Sequence, residues 1–174
     1  MSHIPLVDSH MEARVEEVLD DIRDTLGVVP AIFRAYGNNS TILVAQWERY
    51  KHVMLTGSLS PKLKEGIALM VAADERSDYG IALHSAALQQ LGVDPNEVLR
   101  IRTDPDHAHY DPKDHALLEV ARHANSNPFD HSGQVTDDAR ATGASDEEII
   151  EALAAAGLAS EISHTAAFLS LPSD

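Results

Sequence analysis

Apolar residues recur at three- and four-residue intervals along nearly the whole chain. No stretch alternates apolar and polar residues beyond a few positions, so the pattern predicts helices and no sheet. Helices are predicted over 12–26, 30–36, 40–56, 61–74, 78–91, 95–101, 112–125, 136–142 and 146–169. Local chemistry marks their ends. Gly27, Gly57 and Gly92 act as C-terminal stops. Pro30 and the Ser60-Pro61 pair open helices, with Ser60 as N-cap and Pro61 in the first turn. Asp94-Pro95-Asn96-Glu97 has the spacing of a capping box, and Ser145 with Glu148 forms a cleaner one. The loop-rich stretches are 102–111 and 125–135. The expected fold class is therefore all-α, a compact multi-helix domain over 1–174. A chain of 174 residues is long enough to bury a real core as a single domain.

Charge narrows the partners. The 28 acidic and 13 basic residues leave a formal net charge of −15, the wrong sign for nucleic acid or anionic membranes, which recruit clustered Lys and Arg. No run of about 18 or more apolar residues marks a membrane span. The N-terminus lacks the basic-then-apolar pattern of a signal peptide, so the expected location is cytoplasmic, with no nucleic-acid or membrane partner. Ser9-His10-Met11 resembles a cloning scar but reads as native sequence. The chain has no cysteine, which removes disulfides and thiolate metal sites from consideration.

The candidate chemistry lies in EGIALMVAADERSDYGIALH, residues 65–84. On the helix predicted for 78–91, Ser77, Gly80, Ile81, His84, Leu88 and Leu91 share one largely apolar face, so His84 is expected to point inward. Glu65 belongs to the preceding helix and meets His84 if the two pack antiparallel across the short 75–77 connection. A glutamate beside an inward histidine is an acid–base pair suited to proton transfer. Each residue also has an ordinary reading alone: His84 as a hydrogen-bonded core histidine, Glu65 as a solvated helix acid, Ser77 as an N-cap, Gly80 as a site of close helix approach, Tyr79 as packing. Only their joint spacing carries a functional argument.

That spacing resembles the alkylhydroperoxidase D-like and carboxymuconolactone decarboxylase superfamily, in its peroxidase-related branch. The resemblance also takes in GVVPAIFRAYGNNSTILVAQWERY, LSPKLKEGIALMVA, DPKDHALLEVARHA and TGASDEEIIEALAAAGLAS, in order along most of the chain. In redox-active members, the resemblance implies, the glutamate and histidine activate one of two cysteines for attack on a peroxide, and the second cysteine closes a disulfide. Glu65 and His84 match that pattern. Ser77 and Gly80 occupy the two cysteine positions. A serine hydroxyl has no thiol oxidation ladder, so thiol peroxidase turnover is not expected.

The lactone decarboxylase branch resembles this chain around the Tyr79–His84 spacing, and it implies acid–base chemistry with no cofactor. The expectation is then a proton-transfer enzyme acting on a small organic acid, lactone or carbonyl compound. Glu65, His84, Ser77 and Tyr79 are the catalytic candidates, Gly80 and His164 the substrate-binding ones, with room beside Gly80 where a second sulfur would stand. The alternatives are a helical oligomer or ligand-binding protein that kept the fold without turnover, and a role in antioxidant defence like that of redox-active relatives. The resemblance also implies self-assembly, as a trimer or hexamer. Small residues along 152–160 permit close helix packing. His107, His109 and His115, with Asp106, Asp111 and Asp114 nearby, have the side chains of a metal site, but the spacing fits no established motif, and no metal is expected.

Overall fold

A computed structural model describes residues 2–8 and 12–173; the Ser9-His10-Met11 triplet lies outside them. The described residues form nine α-helices and no strand: α1 Ala13–Leu26, α2 Ala31–Tyr36, α3 Ser40–Tyr50, α4 Pro61–Asp74, α5 Asp78–Gln90, α6 Pro95–Thr103, α7 Pro112–Ser126, α8 Gln134–Ala141 and α9 Asp146–Leu169. The predicted helices agree with these within a few residues at each end. The largest difference is at 51–55, where the tail of the predicted third helix widens into a π-helical turn, Lys51–Leu55, that carries Met54 into the core.

The caps explain the boundaries. Ser60 Oγ accepts from the Leu63 amide, and Pro61 occupies a first-turn position whose N–H needs no helical partner. Ser145 and Glu148 make the reciprocal bonds of a capping box. Asp94 caps α6 through the Asn96 amide, but Glu97 does not complete a box there. Its carboxylate turns instead to Arg100 and the His109 amide.

Helix α4 is the axis of the molecule. Its residues from Leu63 to Ala72 are all buried, and α5, α6, α7 and α9 pack around it. Helix α9 lies along α4 and α7. By length and composition α9 is apolar enough to cross a membrane. In this fold it is a core helix that buries Ile149, Ala152, Ala155, Leu158, Ala159 and Ile162 among its neighbours. At the N-terminal end, α2 and α3 supply an aromatic cluster: Phe33 meets Trp47 and Tyr50 edge-on, at 5.4 and 5.5 Å between centroids, and Trp47 stacks on Tyr50. The Trp47 indole N–H is satisfied by Asp21 of α1 at 2.6 Å, so the polar end of a buried ring is paired rather than stranded.

Candidate functional site

The corner between α4 and α5 sets the site. Helix α4 ends with the Ser77 amide donating to the Ala72 carbonyl and the Arg76 amide to the Ala73 carbonyl, the two bonds of a Schellman stop. Arg76 takes the left-handed position, with φ of 56°. Ser77, the last residue of that stop, is also the N-cap of α5: its Oγ accepts from the Gly80 amide at 3.1 Å. One helix thus ends and the next begins within three residues, and α5 returns along α4.

This return brings His84 onto Glu65. His84 Nδ1 and Glu65 Oε2 stand 2.8 Å apart, with the two residues 2% and 8% exposed. A carboxylate only accepts, so Nδ1 is the ring nitrogen that donates to it, and Nε2 points away from Glu65. Nε2 is buried and has no hydrogen-bond partner among the described residues. An imidazole fixed through one nitrogen by a carboxylate, with the other nitrogen unengaged, is the arrangement of a general base.

The remaining residues of the motif serve this corner in different ways. Ser77 is buried and its oxygen is engaged as the N-cap. The Tyr79 phenol oxygen accepts from the Ile32 amide at 3.0 Å. That amide lies in the first turn of α2, where Pro30, as N-cap, offers no side-chain acceptor. Tyr79 therefore satisfies an otherwise orphaned helix-terminal donor and ties α5 to α2. Tyr50 is a neighbour that the sequence motif does not reveal. Burial foremost, then the charges of Glu65 and Tyr79, push its phenol well above the usual tyrosine range, which keeps it protonated beside the dyad.

The space expected at Gly80 is closed. A Cβ at this position would stand 2.8 Å from the Ala72 Cβ, 3.0 Å from Ser163 Oγ and 3.2 Å from Ser77 Oγ. Side chains of α4 and α9 and the cap of α5 occupy the room that a side chain would take. Gly80→Ala is expected to lower stability by about 1 kcal/mol, because overpacking costs about 1–3 kcal/mol against the roughly 1 kcal/mol that alanine gains in a helix. A urea midpoint at or above that of wild type would contradict the closeness of this contact.

His164 does not reach the dyad within this chain. Its side chain is 73% exposed, with Nε2 3.7 Å from Glu75 Oε2. It lines an open cleft of about 790 Å³ with Asp74, Glu75, Arg122 and Ser160, on the face of the α4–α9 seam where α7 packs. His107 and His109 of the loop and His115 of α7 also separate. His107 pairs with Asp104, His109 with Glu97 and Arg100, and His115 Nε2 with the Ala108 carbonyl. Among the described residues no group of three or more His, Asp or Glu side chains is placed to hold a metal ion.

A residue outside the motif completes the picture. Ser163 of α9 is 1% exposed, and its Oγ, like His84 Nε2, is buried without a partner among the described residues. It lies in the run SHTAAFL, where nothing in the sequence distinguishes it from a small packing residue.

The sequence profile of the carboxymuconolactone decarboxylase family matches residues 43–123, a span that holds Glu65, Ser77, Gly80 and His84. No curated protein matches the chain. Among solved structures, a peroxidase-related protein from Silicibacter sp. TM1040 superposes with a TM-score of 0.90 at 21% identity, covering 99% of this chain and 92% of its own. A second peroxidase-related protein with an alkylhydroperoxidase core, from Ralstonia eutropha JMP134, gives 0.90 at 18% identity with the same coverage. The debrominase Bmp8, solved with 2,3,4-tribromopyrrole, gives 0.82 at 20% identity, covering 100% of this chain and 94% of its own. The chain has no cysteine, its residues 43–123 match the carboxymuconolactone decarboxylase family profile, and its fold is that of the alkylhydroperoxidase-like, peroxidase-related proteins.

Proposed function

We propose that this protein is a cofactor-free acid–base enzyme acting on a small organic acid, lactone or carbonyl compound. The observation that carries the reading is the buried Glu65–His84 pair, with His84 Nε2 unengaged. Leaving a buried polar atom unpaired costs about 1–3 kcal/mol, and such a cost at a candidate base is explained by a partner that arrives with the substrate. Glu65 orients the ring and stabilises the imidazolium once a proton has been taken. Tyr79 and Ser77 hold the corner that aims it. His164, being exposed, contributes to a site only from the surface of α9. The protein acts as a homo-oligomer, trimer or hexamer; Ile150 and Phe168 of α9, 63% and 81% exposed, support this, and a monomer in light scattering at micromolar concentration would contradict it.

A search across small lactones, 2-oxo acids and unsaturated acids, read by proton NMR, tests the reading through the appearance of any product or solvent-derived deuterium. A second reading, a helical oligomer or ligand-binding protein without turnover, is favoured by the closed packing at Gly80. It predicts that no compound in such a search is altered.

The antioxidant alternative requires chemistry that the chain lacks. With no thiol to oxidise, peroxide consumption driven by a dithiol reductant is expected to equal the rate without protein. Consumption that is abolished by His84→Ala would overturn this expectation.

A further inference from the structure

Among the described residues only four buried side-chain polar atoms lack a hydrogen-bond partner, and two of them, His84 Nε2 and Ser163 Oγ, flank the same stretch of α5. Ser163 Oγ lies 3.0 Å from the Cβ position of Gly80. Gly80 and His84 are four residues apart, so they stack on one face of the helix. The Cα–Cβ bond of every helical residue tilts toward the N-terminus, which inclines His84 back toward the turn where Ser163 stands. The glycine is what allows this approach, since any side chain at position 80 would meet the serine hydroxyl. The hydroxyl on α9 thereby stands about one helical turn along α5 from the base that the acid of α4 holds.

We infer that Ser163 is the third polar group of this site and binds the carbonyl oxygen of the substrate, which narrows the reaction to proton abstraction at the carbon next to a carbonyl. The inference rests on the acid–base reading above. The two unpaired atoms are chemically complementary to such a compound: Nε2, a lone pair, takes a proton, and Ser163 O–H donates to an oxygen. In the step, the α-carbon–hydrogen bond breaks and the proton passes to Nε2. The electron pair becomes the carbon–carbon double bond of an enolate, and the carbonyl π pair moves onto the oxygen. Ser163 O–H stabilises that oxygen as its charge grows, while Glu65 balances the imidazolium. Return of the proton from Nε2, to the same or a conjugated carbon, restores the resting site. No oxidant or reductant enters.

The probe is α-angelica lactone, whose α-proton is activated by both a carbonyl and a double bond. Deuterium incorporation from D2O and isomerisation to the conjugated lactone are followed by NMR with wild type, Ser163→Ala, Ser163→Cys and His84→Gln. The expected result is exchange by wild type above the His84→Gln background, a kcat lowered about 10²–10³-fold in Ser163→Ala with KM changed less than about threefold, and an intermediate value in Ser163→Cys, which keeps the shape but donates weakly. A thermal midpoint of Ser163→Ala at or above that of wild type is part of the expectation, because removing an unpaired buried hydroxyl relieves a cost. If Ser163→Ala and Ser163→Cys both exchange at the wild-type rate while His84→Gln is inactive, the role of Ser163 falls and the Glu65–His84 reading stands. If wild type does not exceed His84→Gln, proton abstraction next to a carbonyl falls, and the role of Ser163 with it.

Discussion

His84→Gln is expected to lower turnover of any substrate that the protein processes by about 10²–10⁴-fold, the usual contribution of a positioned general base. Glutamine retains much of the shape and hydrogen-bonding capacity of histidine but takes no proton at neutral pH. Glu65→Gln is expected to cost less, because the amide still fits the space while losing the charge that orients and stabilises the protonated ring. Its NH2 and C=O ends also let His84 adopt the other tautomer, with the proton on Nε2 and the acceptor facing inward. The loss in Glu65→Gln should fall in kcat, since neither oxygen of Glu65 is required to hold the substrate. The double variant should be little worse than His84→Gln alone, because residues that act as a unit are not additive. Steady-state kinetics on the compound found by the substrate search decides the matter. A double variant whose loss equals the product of the two single losses would show that Glu65 and His84 act separately.

How far this pairing could be read before the fold was known depends on distance along the chain. Glu65 and His84 are joined by one tight corner, and short connections force neighbouring helices to run antiparallel. Their helical register therefore sufficed to place them together, as the 2.8 Å contact shows. The caps at Ser60 and Ser145 were legible for the same reason, since each is a bond within four residues. Contacts across the fold left no such trace. Ser163 comes to α5 from a helix about eighty positions later, in a run whose small and apolar residues hide which face turns inward. His164, the candidate that the sequence offers in that run, is exposed while Ser163 is buried, because one residue step rotates a side chain by about 100° around the helix. Gly80 illustrates the limit of a spacing argument. Removing a side chain from a motif suggests a gap, but packed interiors close gaps, and here Ala72, Ser163 and Ser77 have done so. Tyr79 is a catalytic candidate by its place in the motif; its oxygen accepts from the Ile32 amide, in a helix that a corner-by-corner reading does not bring near.

Lys64→Met is expected to destabilise the protein by roughly 3 kcal/mol, at the low end of the range for breaking a buried ion pair. The sequence pattern would assign a lysine at this point to solvent, yet Lys64 is 1% exposed. Its ammonium donates to the Thr56 carbonyl and stands 3.3 Å from Glu151 Oε2 on α9. Glu151 also receives the Ser58 and Leu59 amides at 2.7 and 3.0 Å. Gly57, with φ of +101°, keeps a side chain out of the way of that carboxylate. Burial acts to raise the Glu151 pKa, but the two amides and Lys64 together outweigh it, and the net shift is downward. A carboxyl depressed in the folded state contributes stability above its unfolded pKa and loses it as pH falls through the folded value. Wild type should therefore lose part of its stability on acidification, and Lys64→Met, which lacks one of the groups holding Glu151 down, should lose less over the same interval. The value near 3 kcal/mol, rather than 5, reflects the two amides that still compensate Glu151 after the lysine is gone. Glu151→Gln combined with Lys64→Met should recover part of the loss, as expected when the main cost is a charge left without its partner. Because Lys64 adjoins Glu65 on α4, the same anchor fixes the rotation at which Glu65 faces His84, so Lys64→Met should reduce turnover even at temperatures where it remains folded. Urea titrations at neutral and mildly acidic pH measure the stability effects. A Lys64→Met midpoint indistinguishable from wild type at neutral pH would mean that the pair contributes nothing and that the 56–60 loop is held by the Glu151–amide bonds alone.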